Sequence, residues 1–396
     1  MSSLPLEELI SQLETIARDP PDSLVASDTL RSRLRIASRN ASRSLEKPAE
    51  VIQRVLLAQP VESIAIRIAV DLQLFAALAD DKKSLDELAQ TTKADRILLG
   101  RLLRTLSAFG AVVEADSCYV LSASYKLLAD PKFANALASC GDFLGPAYQA
   151  LPSYLASTKY QNPSDPNNTA VQAAFNTKDK DLFAIFAENP TLAQGFSTLM
   201  STWGDGNSLI QDLLPINRIL EDRSDGFDTH VAWVDVGGGY GQKTIALKHA
   251  FPELQGHFIV QDLPHIISNA PETQGVENMS HDFFTEQPIK GAKAYYLRQV
   301  LHDFPKEPCV RILKELRKVM KSGYSKIFIH EQIVPEYGAS VWAVTQDFNM
   351  MTLLAAAERT GEQFAEILDD AGLKIVRIYP APDGESEGII EADIME

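Results

Sequence analysis

The chain is short of cysteine, of positive charge and of long apolar runs, and each shortage closes off a class of protein. Its three cysteines, Cys118, Cys140 and Cys309, lie far apart with no paired spacing. That excludes a disulfide scaffold and a cysteine zinc site and fits a reducing compartment. Thirty-seven basic residues face 53 acidic ones, a formal charge of −16. Nucleic-acid binding rests on neutralising phosphates, so this balance works against it. The one basic run, Arg31, Arg33, Arg35, Arg39 and Arg43, reads as a solvated helix face. No stretch reaches the roughly 18 apolar residues of a membrane span. The N-terminal segment carries acids and prolines but no apolar signal core. No His, Asp or Glu cluster has metal-ligand spacing, so no metal is expected. These exclusions leave a soluble, cytoplasmic protein.

What is present is 45% apolar and 23% charged residues over 396 positions, a globular composition too long for one ordinary core. Residues 1–48 read as an arm of two polar helices, around Leu6–Ala17 and Ser27–Ser44, that needs a partner surface. Residues 49–130 have helical apolar spacing, with a capping-box pattern at Ser84-Leu85-Asp86-Glu87. Two short strands follow, Ala111–Glu114 and Cys118–Leu121, so the segment reads as a winged helix. Residues 84–127 hold five basic and five acidic side chains, too balanced for a phosphate binder, so dimerisation is the better assignment. The Asn-, Asp- and Pro-rich stretch 156–180 reads as a loop over a cleft. Residues 131–396 form the third region, with covering helices to about residue 225. Beyond about His230, short apolar runs alternate with helices. The strands expected are Val231–Val236, His257–Val260, Ala294–Leu297 and Lys326–His330, with Leu373–Ile378 and Gly388–Ile394 as a closing pair. This is an α/β fold, a mostly parallel doubly wound sheet behind a helical domain.

Asp235-Val236-Gly237-Gly238-Gly239-Tyr240-Gly241 lies between a strand and a helix, where glycines let the backbone approach a ligand. It lacks the lysine of a phosphate loop, and Gln242 stands where a dinucleotide fingerprint needs its third glycine. Asp235 would repel a pyrophosphate but could meet an ammonium group. Asp262 stands 21 residues after Gly241 (262 − 241), where a carboxylate receives ribose hydroxyls. An adenosine with an amino-acid tail, S-adenosylmethionine, fits both acids.

At these residues the sequence resembles the plant- and fungal-type small-molecule O-methyltransferases, from about Gln59 to Glu396 and most densely over 231–365. Gln261-Asp262-Leu263-Pro264 is similar to the family's ribose turn, and His281-Asp282-Phe283-Phe284 to its adenine segment. Leu297-Arg298-Gln299-Val300-Leu301-His302-Asp303 resembles the catalytic-base motif. The resemblance implies Arg298 beside the cofactor, His302 as general base, Glu331 and Glu358 flanking it, and Met200 and Met350 around the reacting methyl. It also implies a Rossmann-like catalytic domain and a homodimer formed through the N-terminal domain.

The chemistry agrees: methyl transfer needs alignment and a deprotonated nucleophile, and a histidine near its reference pKa of about 6.5 is the natural base. His230, His249, His257, His265 and His330 read as structural. Phe143, Phe175, Phe183, Phe186, Trp203, Met350 and Met351 are candidates for an apolar substrate pocket. Asp347 either holds a polar substrate group or caps a helix. The expected reaction is methylation of a hydroxyl on a small aromatic, polyketide or alkaloid-type metabolite. The alternative is a cofactor-binding pericyclase of the same fold that transfers no methyl. Such relatives usually alter the base position, whereas His302, Glu331 and Glu358 are all present here.

Overall fold

The computed structural model describes residues 5–177, 180–203, 210–220, 231–381 and 387–395. His230 and the side chain of Trp203 lie outside the described residues. The chain divides into two compact units, one of residues 1–145 with 186–206 and the other of 146–185 with 207–396.

The first unit is mainly helical. Its core gathers Leu74, Phe75, Leu88, Leu99, Leu103 and Leu106. Ser84 caps its helix as the sequence implies: its hydroxyl accepts from the Glu87 N–H at 3.3 Å, and Glu87 accepts from the Ser84 N–H at 2.7 Å. Strands β1 (Lys83–Ser84), β2 (Val112–Ala115) and β3 (Cys118–Leu121) form an antiparallel sheet in the order β1-β3-β2. Asp116 and Ser117, both at positive φ, make the tight β2–β3 turn. The helix Leu6–Arg18 buries no residue, and Leu6, Leu9, Ile10 and Leu13 stay exposed. Ile52, Val55, Leu56, Leu57, Val61 and Ile64 are exposed as well.

The second unit is built on a seven-stranded sheet of β4 (Val231–Val236), β5 (His257–Asp262), β6 (Val276–Ser280), β7 (Ala294–Arg298), β8 (Lys326–Glu331), β11 (Leu373–Tyr379) and β12 (Gly388–Ile394), in the order β11-β12-β8-β7-β4-β5-β6. A two-stranded pair, β9 (Ile333–Val334) and β10 (Arg359–Thr360), lies beside it in sequence. Strands β4 to β8 run parallel, and β12 is antiparallel to both its neighbours. Both faces are covered, which is why these strands read as unbroken apolar runs. Val234, Tyr295, Leu297, Ile327 and Ile329 pack on one face; Trp233, Tyr296 and Phe328 pack on the other.

Strand β6 escaped the sequence reading because Val276-Glu-Asn-Met-Ser is a polar edge strand with no apolar run. The stretch read as a loop over 156–180 contains a helix, Ala170–Phe175, opened by a capping box from Thr169 and Gln172. Chain order reverses beside β4, which lies between β5 and β7. Doubly wound sheets open a ligand crevice at such a switch point, outside the carboxyl ends of the strands.

Candidate active site

The β4 loop turns through Gly237 (φ 71°), Gly239 (φ 60°) and Gly241 (φ 77°), conformations that glycine enters at no steric cost. A Cβ on Gly237 would come within 2.9 Å of Val300 and 3.3 Å of Phe283. The glycine loop, the segment carrying Phe283 and the turn after β7 therefore converge at one point. Asp262, at the end of β5, accepts from the Gly239 N–H at 2.8 Å through Oδ2 and from the Leu263 N–H at 2.7 Å through Oδ1. A carboxylate has about four lone-pair positions, which leaves two for the hydroxyls of a diol. Leu263 is 42% exposed beside it. Asp282 is exposed and folds its own loop by accepting from the Phe284 N–H at 2.9 Å.

Asp235 sits deep beneath the loop. It is 2% exposed, lies under Gly238, and accepts a 2.7 Å hydrogen bond from the Thr244 hydroxyl. Burial pushes its pKa up to about 6. A carboxylate at that depth, bonded to Thr244 and lying under Gly238, supports the loop from beneath. Arg298 is also already engaged. Its Nε and Nη2 donate to both oxygens of buried Glu387 at 2.7 and 2.8 Å, and Gln299 donates to the same carboxylate at 2.7 Å.

His302 stands in a 3-10 turn, Leu301–Asp303, directly after β7, and is 8% exposed. Its Nδ1 lies 2.9 Å from Glu358 Oε1, and its Nε2 lies 3.4 Å from Asp303 Oδ1. Glu331 does not reach the ring. Its Oε1 accepts from the backbone N–H groups of Val300, Leu301 and His302 at 3.1, 2.6 and 3.3 Å. The carbonyls of the turn are held from the other side: Arg359 donates to Leu301 O at 2.7 Å and to Phe304 O, and the Cys309 thiol donates to both. Asp347 accepts from the Glu358 N–H at 3.1 Å, so it anchors the residue that bonds the ring. His330 is buried, with its Nδ1 2.6 Å from the Tyr296 hydroxyl.

Arg359 and Glu387 were given no site role by the sequence reading, Cys309 was noted only as an unpaired cysteine, and Gly238 only as part of the loop. The position of Arg359, immediately after Glu358, was the one available signal. Met350 is buried, and Met351 packs against Leu151, Tyr154 and Ala170. Phe175 is 40% exposed on its short helix in the second unit. Phe186 belongs to the first unit, against Phe143 and Phe196. Met200 and Trp203 lie on the helix Pro190–Trp203 of that unit. Among the described residues no His, Cys, Asp and Glu group could hold a metal, and no helix is long and apolar enough to cross a membrane.

Burial works against a charged His302 ring, but Asp303, Glu358 and Glu331 outweigh it and raise its pKa to about 10. Glu331, also buried, is pushed up to about 7. A histidine whose pKa is raised on folding contributes stability that is complete below its unfolded value, about 6.5, and is lost as pH climbs towards 10. Between those limits the melting temperature of the wild type should fall more than that of His302→Gln. Parallel melting curves for the two would contradict the assignment of the raised value.

The O-methyltransferase domain family matches residues 176–374. Methyltransferase cfoC of Aspergillus candidus is 34% identical over 91% of this chain and 90% of its own length. This chain belongs to that family. Demethylsterigmatocystin 6-O-methyltransferase of Aspergillus flavus is 34% identical, over 87% of this chain and 88% of its own length. Among solved structures, LepI in complex with S-adenosylmethionine matches with a TM-score of 0.88 and 30% identity, covering 99% of this chain and all of its own. A structure described as a pericyclic reaction enzyme matches with the same score and identity, over 98% of this chain and 100% of its own. The chain is thus an S-adenosylmethionine-dependent O-methyltransferase of the fungal secondary-metabolite group.

Proposed function

We propose that His302 is the general base of a methyl transfer to a hydroxyl of a small aromatic, polyketide or alkaloid-type metabolite. The observation that carries the reading is the 2.9 Å contact between His302 Nδ1 and Glu358. It fixes the ring with its proton on Nδ1 and leaves the Nε2 lone pair to take a hydroxyl proton. Glu358 then stabilises the imidazolium, and Asp303 adds charge on the Nε2 side. When bound, S-adenosylmethionine supplies a methyl group on a sulfonium. Gly237, Gly239, Asp262, Leu263, Asp282 and Phe283 would hold its nucleoside and tail, with Asp235 and Arg298 supporting the loops from behind. Met350, Met351 and Phe175 of the second unit would surround the reacting group and substrate. Because the ring holds its proton tightly, the base form grows with pH, and the rate should rise from neutral to alkaline pH.

Calorimetric titration with S-adenosylhomocysteine tests the cofactor assignment. Saturable binding with one site per chain is expected; no heat at any concentration would overturn it. The alternative, a pericyclase that transfers no methyl, draws support from the similarity to the pericyclic reaction enzyme. The intact His302–Glu358 pair favours methyl transfer.

The first unit reads as a winged-helix dimerisation domain, β2–β3 forming the wing. Its exposed Leu56, Leu57, Val61 and Ile64 supply the apolar surface a second copy would cover. Light scattering should give twice the chain mass; a monomer at micromolar concentration would contradict it.

A further inference from the structure

The glycine loop, the Asp262 turn and the Asp282–Phe283 segment are separate in the chain, yet all three are tied to one residue, Gln261. Its backbone carbonyl accepts from the N–H groups of Gly237 and Gly238 at 2.8 and 3.0 Å. The next residue, Asp262, bonds Gly239 through its carboxylate at 2.8 Å and, through its carbonyl, the His281 N–H at 2.9 Å. The side chain of Gln261 supplies the third tie. It exchanges two hydrogen bonds with the amide of Gln287, Nε2 to Oε1 at 2.9 Å and, in return, Nε2 to Oε1 at 2.8 Å. Each of these glutamines is 1% exposed. Gln287 Oε1 also accepts from the Ile289 N–H at 3.1 Å, which closes the end of the loop.

Burying two amides carries a desolvation cost that burying two aliphatic side chains would not. The preceding residues of β5, Phe258, Ile259 and Val260, are apolar, so the strand departs from its own pattern at the position facing Gln287. The pairing has a geometric product: it fixes residues 281–287 against the strand end that carries Asp262.

We infer that Gln261 and Gln287 are positioning residues for the nucleoside of the cofactor, acting through Asp262 on one side and through Asp282 and Phe283 on the other. This rests on the reading that those segments hold an adenosine. The pair holds both contact surfaces at a set separation before the ligand arrives, so the ligand does not meet the cost of ordering loop 281–287.

The test compares Gln287→Met, Gln261→Met and the double variant. A single replacement leaves one amide buried without its partner, whereas the double replacement removes both polar groups and should restore most of the melting temperature. Affinity for S-adenosylhomocysteine, read by calorimetry, should fall about tenfold or more in the singles and in the folded double variant alike. Affinity for 5′-methylthioadenosine should fall by the same factor, because the lost order lies on the nucleoside side. In turnover, KM for the cofactor should rise while kcat at saturation stays unchanged. A double variant that binds both ligands as tightly as the wild type would reduce the pair to a folding device and overturn the inference. A wild type that binds neither ligand would instead sink the cofactor reading, and this inference with it.

Discussion

Replacing His302 with alanine should lower the methyl-transfer rate by about 10²- to 10⁴-fold, the range that a positioned general base contributes. Affinity for S-adenosylhomocysteine should stay at the wild-type value, because no contact of the glycine loop or of Asp262 involves the ring. The turn should keep its shape, although the melting temperature should fall with loss of the buried ion pair. The backbone of the turn is held independently of the imidazole, by Glu331 on three N–H groups and by Arg359 and Cys309 on the carbonyls of Leu301 and Phe304. Alanine also leaves buried Glu358 without the ring that bonds it, which lowers stability without untying the turn. Steady-state rates at saturating cofactor, with calorimetry on the same preparation, separate the two effects. Unchanged turnover would remove His302 from the reaction. Loss of cofactor affinity in step with rate would mean that the turn, and not the ring, had been disturbed.

The second large effect is expected at Gly238, whose φ is not left-handed. A Cβ there would lie 2.5 Å from Asp235 Cγ and 2.8 Å from both its oxygens. Asp235 cannot swing away, because it is enclosed and bonded to Thr244, which in turn accepts from the Trp233 indole N–H at 3.1 Å. Gly238→Ala must displace either the loop or this buried chain of hydrogen bonds. Overpacking of this kind costs about 1–3 kcal/mol, which corresponds to a weakening of cofactor binding of about 5- to 150-fold. Gly239→Ala meets no atom within 4 Å, although its φ of 60° carries a backbone cost. Titration with S-adenosylhomocysteine should therefore rank Gly238→Ala as the weaker binder. The reverse order would show that backbone conformation, and not the contact with Asp235, governs the loop.

The parts of this fold legible in the sequence are those where one physical signal dominates. Strands β4, β7 and β8 are buried on both faces and so announce themselves as apolar runs. Ser84 and Glu87 announce a helix start because the capping pattern is local. Strand β6 is recruited by pairing with β5, and nothing in its own residues requires it. The helix Ala170–Phe175 was hidden by the turn formers before it. The same division holds at the site. The glycines and Asp262 stand at a spacing that carries chemistry, and His302 and Glu358 are marked by the resemblance to the family's motifs. What the motifs did not disclose is which atom each acid bonds. Glu331 and Glu358 both stand near His302, yet one bonds the backbone of the turn and the other bonds the ring. Asp235 and Arg298 have the charges of ligand-binding groups, yet each meets a protein partner, Thr244 or Glu387, supplied from elsewhere in the chain. Such pairings depend on tertiary neighbours, and no local pattern encodes them.

The most direct test of the account is to supply S-adenosylmethionine labelled on its methyl group together with a panel of phenolic and enolic polyketides and alkaloids, and to weigh the products. The account predicts a product heavier by one labelled methyl, formed on a hydroxyl oxygen, in the wild type and nearly absent in His302→Ala. Conversion of a substrate with no label in the product would contradict it and leave the pericyclic reading in its place.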